Sequence, residues 1–401
     1  MIAERKTVLP IVVAVLSLIS ISVEAQRLRW TPELGLESRV FFSAPQFEDQ
    51  FAGVQNSLIM TGDLQWVSAD RRTRVAVEPF LRVDSRDSER TYADIREASV
   101  FRRFGEWDLL AGVTQVFWGV AESRNVVDVI NQFDTVEDFD QGEKLGQPAL
   151  RLGRRTRVGR VEAFYLPFFR KQRLPGRDGR LRFDPPVDSD AASFERGGEE
   201  WAGDVAVRYS NSFDRIDLGV HAFQGTSRNP SFVPGDNGES LEPRYQKLRQ
   251  AGIDLQFTDG PWLIKFEGAG LDLGGDRFFA SVAGFEYTFF DMQRSGIDLG
   301  VIGEYLYDGR DGPEVPPQLF DNDLFLGLRL TANDAQDTEL LAGVIRDMET
   351  DAVIGSVEFQ RRLGSRMLLE LEGRYFDGGS DPFVAAFDRD SHITLRLTRY
   401  F

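Results

Sequence analysis

The sequence predicts an all-β protein, a transmembrane antiparallel up-and-down β-barrel of about 18 strands, with 16 as the alternative. Three observations predict it. Segments of about ten residues with a two-residue hydrophobic period recur along the chain. Their connections alternate between tight and extended. The last segment, "SHITLRLTRYF", ends on an apolar strand and a terminal aromatic residue, where soluble chains usually end polar and loosely held.

The chain of 401 residues opens with Arg5 and Lys6, an apolar run over 8–23, and small residues Val23 and Ala25 before Gln26. This is the form of a secretory signal peptide, residues 1–25, cleaved near Ala25. The domain plan is therefore 1–25 signal peptide and 26–401 barrel. No later stretch reaches 18 consecutive apolar residues, so any later crossing of a membrane is made by strands, which need only about 9–11 residues each.

"LGLESRVFF" and "SLIMTGDL" open the strand series. Turn residues separate the segments that follow, from "RVAVEPFLRV" to "RMLLELEGRYF". Short connections fall at 69–72, 105–106, 156, 211–214, 258–261, 291–294, 333–337 and 364–365. Between them lie mostly longer ones, of which 119–148, 170–200 and 225–246 are the longest. Tight turns at one end and extended loops at the other are the plan of outer-membrane barrels. An even strand number places both termini at the tight end.

The two faces of each segment differ in the same way. Trp262, Ile264 and Phe266 oppose Lys265 and Glu267; Leu324, Leu326 and Leu328 oppose Arg329; Met367, Leu369 and Leu371 oppose Glu370 and Glu372. A closed sheet in hydrocarbon leaves no unpaired edge, and at this strand number side chains cannot fill the interior. The charged face then lines water and the apolar face meets lipid. Phe41, Phe42, Tyr209, Phe289, Phe290, Tyr307, Phe376, Tyr400 and Phe401 are the expected interfacial aromatics.

Composition narrows the function classes. There is no cysteine, there are two histidines, and the net charge is −17. Thiolate chemistry is excluded, and nucleic acid is a poor partner for so acidic a chain. A catalytic triad would need His221 or His392 as base, and no nucleophile motif lies near either. No cofactor and no metal site is expected, because the acidic runs "DTVEDFDQGE" and "DNGESLEP" lack regular calcium-loop spacing. The chain does not read as an enzyme.

The stretch 112–152, "GVTQVFWGVAESRNVVDVINQFDTVEDFDQGEKLGQPALRL", resembles one in porin-like outer-membrane proteins, mostly uncharacterised. Gln115, Trp118, Gly119, Asp128, Ile130 and Asn131 carry the resemblance. The closing strand, with Ile393, Leu395, Leu397 and Phe401, resembles the carboxy-terminal signal for the barrel-assembly machinery, although Arg399 stands where an aromatic or apolar residue is usual. These resemblances imply a bacterial outer-membrane channel, in contact with lipid and lipopolysaccharide, with a homo-oligomer as one open arrangement. Lipopolysaccharide would meet the basic first half of loop 170–200, which is otherwise expected to be solvated.

In general porins such a loop folds inward. The expectation here is that loop 119–148 narrows the pore, with Asp128, Asp134, Glu137, Asp138 and Asp140 facing Arg74, Arg82, Arg96, Arg151 and Arg160. The expected lumen set further along is Arg208, Asp254, Lys265, Glu267, Asp298, Glu304, Arg329, Glu370, Glu372, Arg374 and Arg396, with Asp204, Asp217, His221, Glu286 and Glu358. Acids outnumber bases about two to one in that set, which implies a mild cation preference for passive diffusion of small hydrophilic solutes. The alternative is a substrate-specific transporter or exporter barrel, for an acidic polysaccharide or for an apolar compound held on Phe117, Trp118 and Phe133.

Overall fold

In the computed structural model residues 27–139, 142–311, 316 and 320–401 are described. The expected signal peptide and Asp140 lie outside them.

Period-two segments become strands because each buries one face and pairs both edges. In chain order they are β1 (Arg27–Phe41), β2 (Val54–Val67), β3 (Thr73–Asp84), β4 (Tyr92–Phe104), β5 (Trp107–Thr114), β6 (Gln147–Thr156) and β7 (Gly159–Leu166). Then come β8 (Ser193–Phe194), β9 (Asp204–Phe213), β10 (Ile216–Thr226), β11 (Ser231–Pro234), β12 (Leu241–Tyr245), β13 (Lys247–Asp259) and β14 (Trp262–Leu273). The last are β15 (Asp276–Phe289), β16 (Asp298–Asp308), β17 (Asn322–Thr331), β18 (Glu339–Asp347), β19 (Val353–Arg362), β20 (Met367–Asp377) and β21 (His392–Tyr400). Eighteen of them form one antiparallel sheet. It closes where β21 pairs with β1, Leu397 opposite Leu36 and His392 opposite Phe41. The other three, β8, β11 and β12, make a small sheet among the loops.

Two residues join β4 to β5, β6 to β7, β9 to β10 and β13 to β14. At the other end the loops span 42–53, 115–146, 167–203, 227–246 and 378–391. Gly274 and Gly275, both at positive φ, are the exception there and make a two-residue turn. Pro79 interrupts β3, and the register against β4 shifts at Glu78/Pro79. A bulge is how a strand with two neighbours accommodates a missing N–H.

Exposure separates the faces. On β17 Leu324 and Leu326 are 39% and 54% exposed, while Phe325 between them is 4% exposed. The exposed set continues around the barrel through Val207, Ile264, Tyr305 and Tyr375. Apolar burial is worth roughly 25 cal/mol per Å² against water, so a continuous belt of this kind suits hydrocarbon and not an aqueous surface. Tyr209, Phe289, Phe290, Tyr307 and Phe401 keep the outward aromatic places expected of them. Phe41 and Phe376 do not. They are 5% and 2% exposed and point inward, Phe41 against Phe51 and His392 and Phe376 against Phe139 and Phe387. Tyr400 sits beside Glu33, its register partner, on the inward face. The loops account for the two phenylalanines, because they fill the loop end of the barrel and offer rings there an apolar interior.

Candidate functional site

The site begins where β5 stops. The alternation "WDLLAGVTQVFW" extends to Trp118, yet the strand ends at Thr114. Asn131 explains the early end. Its side-chain amide donates to the carbonyls of Thr114 and Leu145, each at 2.9 Å, and its oxygen accepts from Val116 N–H at 2.8 Å. One side chain thus supplies what a neighbouring strand would have supplied, and the chain peels into the lumen. Trp118 packs on Phe164 and His221. Gly119 has φ 141°, and a Cβ there would meet Asn125 and Glu267. Ile130 is wholly buried. The motif residues therefore build the loop.

The loop crosses to the far wall, where two inward carboxylates receive it. Glu267 of β14 accepts from Val120 N–H at 2.6 Å and Ala121 N–H at 2.9 Å. Glu304 of β16 accepts from Glu122 and Ser123 N–H, both at 2.8 Å, and from Ser123 Oγ at 2.6 Å. Glu122 pairs with Arg329 and lies 3.6 Å from Lys265. The loop then returns to the near wall. Asp134 accepts from Tyr92 Oη at 2.8 Å and pairs with Arg96 at 2.7 Å. Glu137 accepts from Tyr92 Oη at 2.9 Å and pairs with Arg82. Behind them Glu37 of β1 binds Arg82 at 2.7 Å, Arg90 at 2.8 Å and Arg396 at 2.6 Å. Burial alone would raise Glu137, but Arg82 and Arg90 hold its carboxyl below the ordinary value.

Asp128 pairs with Lys144 inside the loop. Burial pushes its pKa up to about 6 in spite of that ammonium. Between the ordinary 3.8 and about 6 the folded protein holds a proton that the unfolded chain releases. This group therefore favours folding as pH falls through 6 and opposes it above. Relative to wild type, Asp128→Asn is expected to gain stability, about 1.4 kcal/mol, as pH rises from 5 to 7.5, because only the unit between pH 5 and about 6 lies inside the window. Unfolding midpoints of both proteins at the two pH values, followed by heat-modifiable gel migration, measure it. Parallel pH profiles would remove Asp128 as the cause.

Further loops close over this one. The basic stretch 170–182, expected to be solvated, turns inward. Arg180 and Arg182 are 4% and 3% exposed; Arg180 binds Asp390 at 2.5 Å and lies over the Phe41 ring. Phe139, Phe183, Phe376 and Phe387 join beneath them, beside the short helix α1 (Pro382–Ala385). An apolar cluster pulls the loop in, because Leu181 and Phe183 alternate with the arginines.

Two connected cavities remain open. The lower, about 390 Å³, lies between the loop and β17–β21. Its loop side presents Glu122, Glu137, Asp138 and Glu143. Its wall presents Glu339, Glu358, Glu370 and Glu372 with Arg329, Arg374 and Arg396. The upper, about 290 Å³, is lined by Phe117, Phe133, Phe139, Phe320 and Phe325 together with Asp128 and Lys144. Glu122, Asp138, Glu358 and Arg374 line both, which makes them the throat between the cavities.

Three solved structures share this architecture. A BenF-like porin from Pseudomonas fluorescens Pf-5 is 10% identical, with 94% of this chain and 98% of that chain covered and a TM-score of 0.54. OccAB1 of Acinetobacter baumannii is 9% identical, with 94% and 96% covered and a TM-score of 0.54. OpdQ of Pseudomonas aeruginosa is 10% identical, with 94% and 97% covered and a TM-score of 0.52. The fold is porin-like. No family model and no curated protein matches the sequence.

Within this porin-like barrel the residues singled out from sequence fall into distinct places. Arg82 and Arg96 meet the loop acids Glu137 and Asp134. Arg151 and Arg160 pair instead with Asp108, at 3.3 and 2.8 Å, on their own wall. Arg74 is exposed near the tight-turn end and lies over Phe101. Arg208 pairs with Asp254 at 2.8 Å, and Asp298 caps a turn by accepting from Asp291 N–H at 2.7 Å. Lys265, Glu267, Glu304 and Arg329 hold the loop, whereas Glu370, Glu372, Arg374 and Arg396 line the lower cavity. His221 is packed against Trp118 and His392 against Phe41. Sequence reasoning missed Glu37, Arg90, Tyr92, Glu122 and Lys144. Glu37 was within reach, since "LGLESRVF" places it on the same face as Arg39.

Proposed function

We propose that this protein is a porin-type channel of the bacterial outer membrane. Small hydrophilic solutes diffuse through it passively, and cations pass more readily than anions. The observation that carries the reading is the acid-lined route left beside the inward loop: eight carboxylates against three guanidinium groups in the lower cavity. A narrow water-filled passage of one sign raises the local concentration of counter-ions and repels co-ions. The apolar exterior and closed sheet support insertion in a bilayer. The same reading makes 1–25 a cleaved export signal and the closing strand the segment that the assembly machinery engages. An acidic polysaccharide would meet like charge at the throat, which disfavours that alternative.

Purified protein in a planar bilayer under a KCl gradient tests this. The expected result is steady conductance with a reversal potential of cation-selective sign. Glu122→Gln, Asp138→Asn and Glu358→Gln together are expected to lower the cation-to-anion permeability ratio about tenfold, the equivalent of about 1.4 kcal/mol of lost electrostatic preference. Anion selectivity in the wild type, or no conductance in heat-modifiable, folded protein, would overturn the reading.

A further inference from the structure

We infer that the upper cavity is a binding subsite for small amphiphilic organic cations, amines that carry an aromatic or branched apolar group. The inference rests on the channel reading and names a solute class for it. Ordinary ion conduction requires only a wet, charged passage. The upper cavity is different: five phenylalanines reach it, and three of its four carboxylates, Glu122, Asp138 and Glu358, sit at the throat. Its volume of about 290 Å³ is equivalent to roughly ten waters, the scale of a small amine with one ring. Concave sites that set apolar and aromatic walls beside placed polar groups are the usual form of small-molecule pockets.

The charge at the throat decides the sign of the ligand. Arg374 is already engaged by Glu358 at 2.9 Å and Glu372 at 3.2 Å, and Asp138 is 3.6 Å away. An incoming carboxylate would have to displace these acids, whereas an ammonium group would join them. The cations above the throat are committed as well, Lys144 to Asp128 and Arg124 to Asp308. The cavity also contains an internal precedent. The Lys144 ammonium lies 4.6 Å from the centre of the Phe117 ring and touches the Asp128 carboxylate. Carboxylate plus phenyl face is the combination that holds organic ammonium groups. Phe117 is 62% exposed, so it has ring surface left for a solute.

Current block in planar bilayers tests the inference. The probes are 2-phenylethylammonium, methylammonium and benzoate in symmetrical KCl. 2-Phenylethylammonium is expected to half-block at a concentration about tenfold below that of methylammonium, since one buried ring is worth more than 1.4 kcal/mol. Benzoate is expected not to block. Phe117→Ala should raise the half-blocking concentration of the aromatic amine about fivefold and that of methylammonium by less, because the small amine loses only the charge–ring contact. Glu358→Gln, whose side chain is 48% exposed, should weaken block by both amines. Heat-modifiable migration checks that both variants fold. Equal block by the two amines, stronger block by benzoate, or an unchanged response in Phe117→Ala would overturn the subsite while the channel stands. Absence of conductance before any probe is added would overturn both.

Discussion

Replacing Glu37 with glutamine is expected to be the most damaging conservative change in the barrel wall. Its carboxylate is 4% exposed and binds three guanidinium groups, from Arg82, Arg90 and Arg396. Arg82 and Arg90 are themselves 0% and 2% exposed. Glutamine keeps the shape and one acceptor oxygen but removes the charge. Arg82 then keeps its pair with Glu137 and Arg90 its pair with Asp84, while Arg396 loses its ion-pair partner. Breaking a buried ion network by removing one partner costs about 3–5 kcal/mol, because the remaining charges stay desolvated. The loss should appear as a lower denaturant midpoint for unfolding in detergent or lipid. It should be partly restored in the double variant Glu37→Gln with Arg396→Gln, since the two residues are register partners. A loss under about 1 kcal/mol would mean that water reaches the network and screens it.

Removing Glu267 and Glu304 together, each to alanine, is expected to unpin the loop without unfolding the barrel. The two side chains accept from Val120, Ala121, Glu122 and Ser123, with a longer contact from Val127 at 3.4 Å. Hydrogen bonds to a charged acceptor contribute about 1.5–3 kcal/mol each. Their donors would not be stranded, because lumen water can replace the carboxylates. The barrel keeps its ladder and its near-wall network around Glu37. The narrow state then loses its preference, tenfold in population for each ~1.4 kcal/mol removed. Single-channel recordings should show a larger mean conductance and frequent stepwise fluctuation. A variant with the wild-type amplitude and noise would place the holding force elsewhere, in the Asp134 and Glu137 anchors.

Much of this architecture is legible in the chain because strand period, turn chemistry and face polarity are local properties. Leu324, Leu326 and Leu328 need no partner to declare that they share a face. The loop at 119–148 declares itself by length and by apolar residues such as Val127 and Ile130. Its fastening does not. Whether Arg82 or Arg151 meets the loop depends on how far the loop leans, and only Arg82 is within reach. The backbone N–H groups at 120–123 carry no sequence signature, so the role of Glu267 and Glu304 as their acceptors is invisible from composition. The lumen also proved less uniformly polar than its alternation implies. Ile302, Leu306 and Phe325 point inward and pack together, because the loops give them an interior to fill.

Alternation and turn spacing in the sequence pointed to a closed sheet of about 18 strands, with 16 left open, and to its apolar outside and the acidity of its inside. They can do so because each strand's two faces are set by a period of two, whatever its neighbours. Only the tertiary structure decided which charges meet. Ion pairs such as Glu37 with Arg82, Arg90 and Arg396 form across strands and loops far apart in the chain. Their partners are chosen by register and by the path of an inward loop, and those distances exist only once the barrel has closed.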